Sequence, residues 1–90
     1  MRFDWDPVKA AVNLDKHGVD FTEAATVFED ELSTSFPDPD HSVDEERFVT
    51  IGLSGAGHTL VVTHTERGDT IRIITARPAT RRERRFYEEG

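Results

Sequence analysis

The chain has 90 residues, 36% hydrophobic and 32% charged, with a formal net charge of −7. A chain of that length buries one modest core, so a single domain over 1–90 is expected, and the composition excludes a disordered or membrane-embedded protein. Cysteine is absent, which excludes disulfides and thiolate metal sites. The opening Met-Arg-Phe-Asp-Trp-Asp has no apolar h-region, and no apolar run approaches the roughly 20 residues needed to span a bilayer, so a cytoplasmic protein is expected. The charge is uneven: residues 1–46 hold thirteen Asp/Glu against three Lys/Arg, whereas residues 47–90 hold eight Arg against five Asp/Glu. Such asymmetry points to an anionic ligand for the second half, and to either a basic partner or simple solvation for the first.

Arg2 to Trp5 reads as a short extended segment with Phe3 and Trp5 on one side. Asp6 as cap and Pro7 in the first turn open a helix that runs to about His17, where Gly18 supplies a left-handed stop. Asp20 with Glu23 resembles a capping box for a second helix, with Phe21, Ala24, Ala25 and Phe28 as its apolar stripe. The two helices are expected to form a hairpin covering a sheet. Leu32 to Phe36 is a possible short strand, and Pro37 to Ser42 is dense in turn formers. Arg47 to Leu53, Thr59 to Thr65 and Thr70 to Ala76 alternate as strands, joined at Ser54-Gly55-Ala56-Gly57 and Glu66-Arg67-Gly68-Asp69. Thr80 and Glu83 form a capping box for a last helix to about Glu88. The expected architecture is α+β: a compact antiparallel β-sheet of about four strands with an N-terminal helical hairpin and a C-terminal helix.

Arg81, Arg82, Arg84 and Arg85 fit a solvated helix face paired with Glu83, Glu88 and Glu89. Arg67, Arg72 and Arg77 are harder to place that way, because guanidinium groups spaced along a sheet can grip successive phosphates by bidentate bonds. His64 and Glu66, two apart on a strand, share a face, with Arg67 and Arg77 expected within reach. Such a group suits RNA cleavage: a base removes the 2′-hydroxyl proton while arginine stabilises charge on the phosphate. The plainer alternative makes His64 a structural residue and Glu66 an ion-pair partner of Arg67 or Arg77. Lys16 and His17 fit the C-terminal end of a helix dipole, and Phe3 and Trp5 fit a core. Asp38, Asp40, His41 and Asp44 lack the glycine and distal Glu of an EF-hand, and Gly55 and Gly57 do not precede a helix, so neither a metal nor a nucleotide loop is expected.

Trp5-Asp6-Pro7-x-Lys9, Asn13-Leu14-x-Lys16-His17-Gly18-Val19-x-Phe21, Glu23-Ala24 and Val27-Phe28 form a motif series. It continues through Glu46-Arg47-Phe48, Gly52, His64-Thr65-Glu66, Ile71-Arg72-Ile73-Ile74-x-Ala76-Arg77, Thr80-x-x-Glu83-Arg84 and Tyr87-Glu88. In order and over nearly the whole chain, this resembles the BrnT toxins of bacterial type II toxin–antitoxin systems. The resemblance implies a RelE-like fold and a metal-independent endoribonuclease, without cofactor, that cleaves RNA to inhibit translation and growth. It also implies a BrnA-type ribbon-helix-helix antitoxin as partner, with operator DNA reached only through that antitoxin, and no membrane. By position it implies Glu66, Arg67, Arg77 and His64 as catalytic groups and Arg72, Arg81, Lys16 and His17 as RNA-binding groups. The implied reaction uses Glu66 or His64 as base and leaves a 2′,3′-cyclic phosphate and a 5′-hydroxyl. The alternative is a non-catalytic module that acts as co-repressor with its ribbon-helix-helix partner.

Overall fold

Residues 1–38 and 45–90 are described by the computed structural model. Local chemistry sets the helix ends. Helix α1 spans Pro7–His17; the Asp6 carboxylate accepts hydrogen bonds from the amides of Val8 (2.8 Å) and Lys9 (3.4 Å), and Gly18, at φ 71°, closes the helix with a bond to the Leu14 carbonyl. Helix α2 spans Phe21–Thr26 and continues as one 3₁₀ turn, Val27–Glu29, with Asp20 accepting from the Thr22 amide at 2.7 Å. Helix α3, Arg81–Glu89, starts with the reciprocal Thr80–Glu83 capping box.

Five strands make one sheet: β1 (Arg2–Asp4), β2 (Thr34–Pro37), β3 (Arg47–Leu53), β4 (Thr59–Arg67) and β5 (Thr70–Pro78), in the order β1-β5-β4-β3-β2. The meander of β2 to β5 is antiparallel. The expectation of about four strands, all antiparallel, needs correction, because β1 pairs in parallel with β5, Arg2 opposite Thr70 and Asp4 opposite Arg72. What draws this short segment onto the sheet is apolar cover: Phe3 meets Phe28 at 5.5 Å between ring centroids, and Trp5 meets the edge of Phe21 at 5.9 Å. The helical hairpin also needs correction. Helices α1 and α2 each pack on β5, and the sheet, rather than helix against helix, buries their apolar residues.

The core lies on that helix-covered face, where Val19, Phe21, Ala24 and Val27 meet Leu60, Val62, Ile71, Ile73 and Ala76. A bulge adjusts the strand to it. Thr63 pairs with Thr75 and His64 with Ile73, which leaves Ile74 unpaired and shifts the alternation of β5, so Ile73 and Ala76 are both buried. Beyond the end of β1, the flank of β5 is closed by a side chain. The buried Asn13 amide donates to the carbonyls of Ala76 (2.8 Å) and Val19 (3.1 Å), and its oxygen accepts from the Ala76 amide (3.1 Å). Of the expected turn from Pro37 to Ser42, Pro37 ends β2, and the part from 39 onward, with Asp40, His41 and Asp44, lies outside the described residues. Among the described residues no three His, Cys, Asp or Glu side chains cluster for a metal, and no helix is long and apolar enough to cross a membrane.

Candidate nucleic-acid interface

In a paired sheet, directly opposed residues share a face. Arg47 opposes Thr65, Thr65 opposes Arg72, and Arg72 opposes Asp4, so one row crosses four strands. Two residues along β4, Arg67 opposes Thr70, which opposes Arg2; four residues the other way, Val61 opposes both Ile51 and Arg77. Five arginines therefore share the face opposite the one that buries Leu60, Val62 and His64. Acids hold Arg67, Arg72 and Arg77: Arg67 holds Glu45 through Nε (2.8 Å) and Nη2 (2.6 Å), Arg72 lies 3.3 Å from Asp4, and Arg77 grips both Glu83 oxygens at 2.7 and 2.9 Å. The Arg77 hydrogen bonds hold the Glu83 carboxyl down at about 2 and raise Arg77 in return. In the middle of the row the Thr65 hydroxyl is buried with no protein partner.

The expected catalytic group is not brought together. Glu66 and Arg67 project to opposite faces, and Glu66 stands at the rim of the helix-covered face beside Met1, Gly68 and Asp69. Counting strand residues from Ile71, its partner on β5, to Arg77 separates Glu66 from Arg77 by roughly 20 Å. Arg67 is about as far from Arg77, near the other end of the same strand pair. His64 is a core residue, 1% exposed, which matches the plainer expectation of a structural histidine. Its Nε2 shares a 2.7 Å hydrogen bond with Thr50, whose hydroxyl bonds Ser35 at 2.7 Å, and its ring sits between Phe28 and Phe48. Burial pushes its pKa down to about 4, so near neutrality it is an uncharged, sealed imidazole.

The four residues expected to bind RNA divide among three places. Arg72 lies in the arginine row. Lys16 and His17 border a groove of about 290 Å³ at the sheet flank with Val8, Val12 and Ile74, and Arg81 lies on the exposed side of α3 near Arg85.

Three arrangements were invisible in the sequence. Glu23 does not return to its own helix cap; one oxygen accepts from Ser54 Oγ (2.6 Å) and His58 Nδ1 (2.8 Å). Tyr87 donates to Asp30, which also accepts the Leu53 amide, and so ties α3 to the end of β3. Asn13 serves as a surrogate strand. Each joins residues far apart in sequence, and the only local signal for the first was a Gly-containing turn ending at His58.

A five-stranded mixed sheet, with α1 and α2 over one face and, on the other, five arginines beside the buried Ile51 and Val61, defines a small α+β protein. The model of the ribonuclease toxin BrnT of type II toxin–antitoxin systems matches residues 5–83, and the chain belongs to that family. The fold is similar to the crystal structure of the Brucella abortus ribonuclease toxin BrnT, with a TM-score of 0.70 and 24% identity over 90% of this chain and 99% of that one. A search of curated proteins finds no match. Membership makes ribonuclease the class of activity, RNA the target, and an antitoxin the partner.

Proposed function

We propose that this chain is a metal-independent endoribonuclease toxin of the cytoplasm that grips single-stranded RNA on its arginine face and cuts it by attack of the 2′-hydroxyl. The observation that carries this reading is the strand register, which places Arg2, Arg47, Arg67, Arg72 and Arg77 on one face of a protein whose net charge is −7. A chain so acidic has no general attraction for RNA, so a face that concentrates guanidinium groups is a local device. Phosphates compete with Glu45, Asp4 and Glu83 for the arginines those acids now hold. The bidentate geometry that suits a carboxylate also suits a phosphate.

In the reaction a base takes the 2′-hydroxyl proton, the 2′-oxygen attacks phosphorus, and arginine stabilises the charge on the phosphoryl oxygens. The products are a 2′,3′-cyclic phosphate and a 5′-hydroxyl. Glu66 stays in this scheme as an exposed carboxylate near the Arg67 end; His64, buried and neutral, is left out. A BrnA-type ribbon-helix-helix antitoxin would mask the face and carry the operator contacts. Purified protein incubated with single-stranded RNA in EDTA tests the scheme. Cleavage leaving cyclic-phosphate ends, reduced on Arg72→Ala and Arg77→Ala, is the expected result; 3′-hydroxyl ends or loss of activity in EDTA would sink it. The co-repressor reading draws on one observation, the roughly 20 Å that separate Glu66 from Arg77. If induction of the wild-type chain leaves growth and total RNA intact, that reading replaces the enzyme.

A further inference from the structure

The dispersal of Glu66, His64 and Arg77 leaves the nuclease reading without an oriented base beside a cation. Among the described residues, one other place supplies that combination. At the end of the sheet where β5 runs into α3, a cleft of about 380 Å³ is bordered by Glu23, His58, Pro78 and Arg84. Pro78 pairs with Leu60 and follows Arg77, so the cleft opens on the helix-covered side of the same strand end that carries Arg77.

The cluster in this cleft is built from fixed parts. Ser54 Oγ donates to Glu23 at 2.6 Å and accepts the backbone amides of His58 (3.1 Å) and Ala56 (3.3 Å). The Ser54 amide in turn bonds the His58 carbonyl at 2.8 Å, which closes the turn. From α2, Thr26 Oγ1 accepts the Gly55 amide at 2.7 Å and donates to the Glu23 carbonyl at 2.6 Å, so helix and turn are stitched together. Glu23 is kept ionised by its bonds from Ser54 and then His58, and a carboxylate can only accept. The hydrogen in the 2.8 Å contact therefore sits on His58 Nδ1, and in the neutral ring this tautomer leaves the lone pair on Nε2. The His58 side chain is 66% exposed, whereas Glu23 is 23% exposed, so the base is reachable and its orienting group is sheltered. Across the cleft, Arg84 has no ion pair among the described residues, in contrast to Arg67, Arg72 and Arg77.

We infer that His58, oriented by Glu23, is the general base of RNA cleavage, and that the cleft takes one nucleotide with its 3′-phosphate against Arg84. This rests on the ribonuclease reading and adds the base that the arginine face lacks. His58 Nε2 takes the 2′-hydroxyl proton; the 2′-oxygen forms a bond to phosphorus; the bond from phosphorus to the 5′-oxygen breaks; and that oxygen leaves with the electron pair and takes a proton from water. His58 later returns its proton to solvent. Glu23 is a positioning residue, because it acts through the ring.

His58→Asn tests the assignment, since an asparagine amide keeps a donor for Glu23 and removes the base. Cleavage of a short single-stranded RNA under single-turnover conditions should fall about 100-fold, with thermal midpoint near wild type and partial rescue by added imidazole. Glu23→Gln should lower the rate less and alter its pH profile. The second arm titrates uridine 3′-monophosphate into ¹⁵N-histidine-labelled protein. The His58 ring signals should shift in wild type and not in Arg84→Ala. His58→Asn cleaving at the wild-type rate overturns the inference, as does a His58 signal unmoved by saturating nucleotide. A wild-type chain that leaves RNA intact but shows the shift would instead sink the ribonuclease reading and retain the cleft as a nucleotide site.

Discussion

His64 couples stability to pH because its ring is sealed between Phe28 and Phe48 and bonded to Thr50. The unfolded chain takes a proton near pH 6.5 and the folded one only near 4, so its contribution is complete above pH 6.5 and is lost as pH falls toward 4. Glu83, held down at about 2 by Arg77, acts in a lower window, complete above the ordinary carboxylate value of 4.5 and lost as pH falls toward 2. Urea midpoints measured from pH 7 to pH 3 should therefore decline in two stages. His64→Gln should flatten the first and leave the second; an unchanged first stage would show that another group titrates there. Arg77 illustrates a different point at this scale. Its guanidinium is occupied by Glu83, so Glu83→Gln should raise affinity for single-stranded RNA several-fold while loosening the start of α3. Filter-binding titrations and amide exchange over residues 80–84 read the two effects separately.

Among the elements, β3 and β5 are constrained most tightly, and from opposite directions. At Gly52 of β3 an added Cβ would come within 2.8 Å of Val27 Cγ1 and 2.9 Å of Ser33 Cβ. Gly52→Ala should therefore destabilise by about 1–3 kcal/mol through overpacking, measured by chemical denaturation. On β5 the demand is for polar partners. Asn13→Ala strands the Ala76 amide and carbonyl in a buried position and should cost about 2–4 kcal/mol, whereas neighbouring exposed changes on α1, such as Lys9→Ala, should stay near zero. Helix ends and the three-strand meander were legible in the sequence because Asp6, Pro7, Gly18, Thr80 and Glu83 act on groups within a few residues of themselves. The pairing of β1 with β5 and the reach of Asn13 to Ala76, 63 residues away, leave no periodic trace. The candidate site divided the same way. Alternation placed His64 and Glu66 on one face, but not that a one-residue bulge between Arg72 and Arg77 brings those two to a common face, that His64 faces inward, or that Glu23 leaves its own cap for His58.

At the scale of the whole molecule, an acidic chain presents an arginine surface whose positive charge is largely paired until RNA arrives. Its binding should therefore be modest and steeply dependent on salt. If Arg67, Arg72 and Arg77 each engage one phosphate, the logarithm of affinity should fall against the logarithm of salt concentration with a slope of about −2, and Arg72→Ala should bring it nearer −1.4. A slope near zero would place RNA elsewhere. The antitoxin must also find its seat on this architecture, and here Asn13 has a wider consequence. A partner that extends a sheet does so by offering its own backbone to an unsatisfied edge. On the β5 side that edge is occupied first by three residues of β1 and then by an amide side chain that imitates a peptide group. Strand addition is thereby left to short margins: the outer side of β1, three residues long, and β2, four exposed residues ending in Pro37, whose ring nitrogen has no hydrogen to give. By covering the rest of β5 with a single asparagine, the fold leaves an inhibitor that pairs backbone to backbone only three or four residues to extend at either margin.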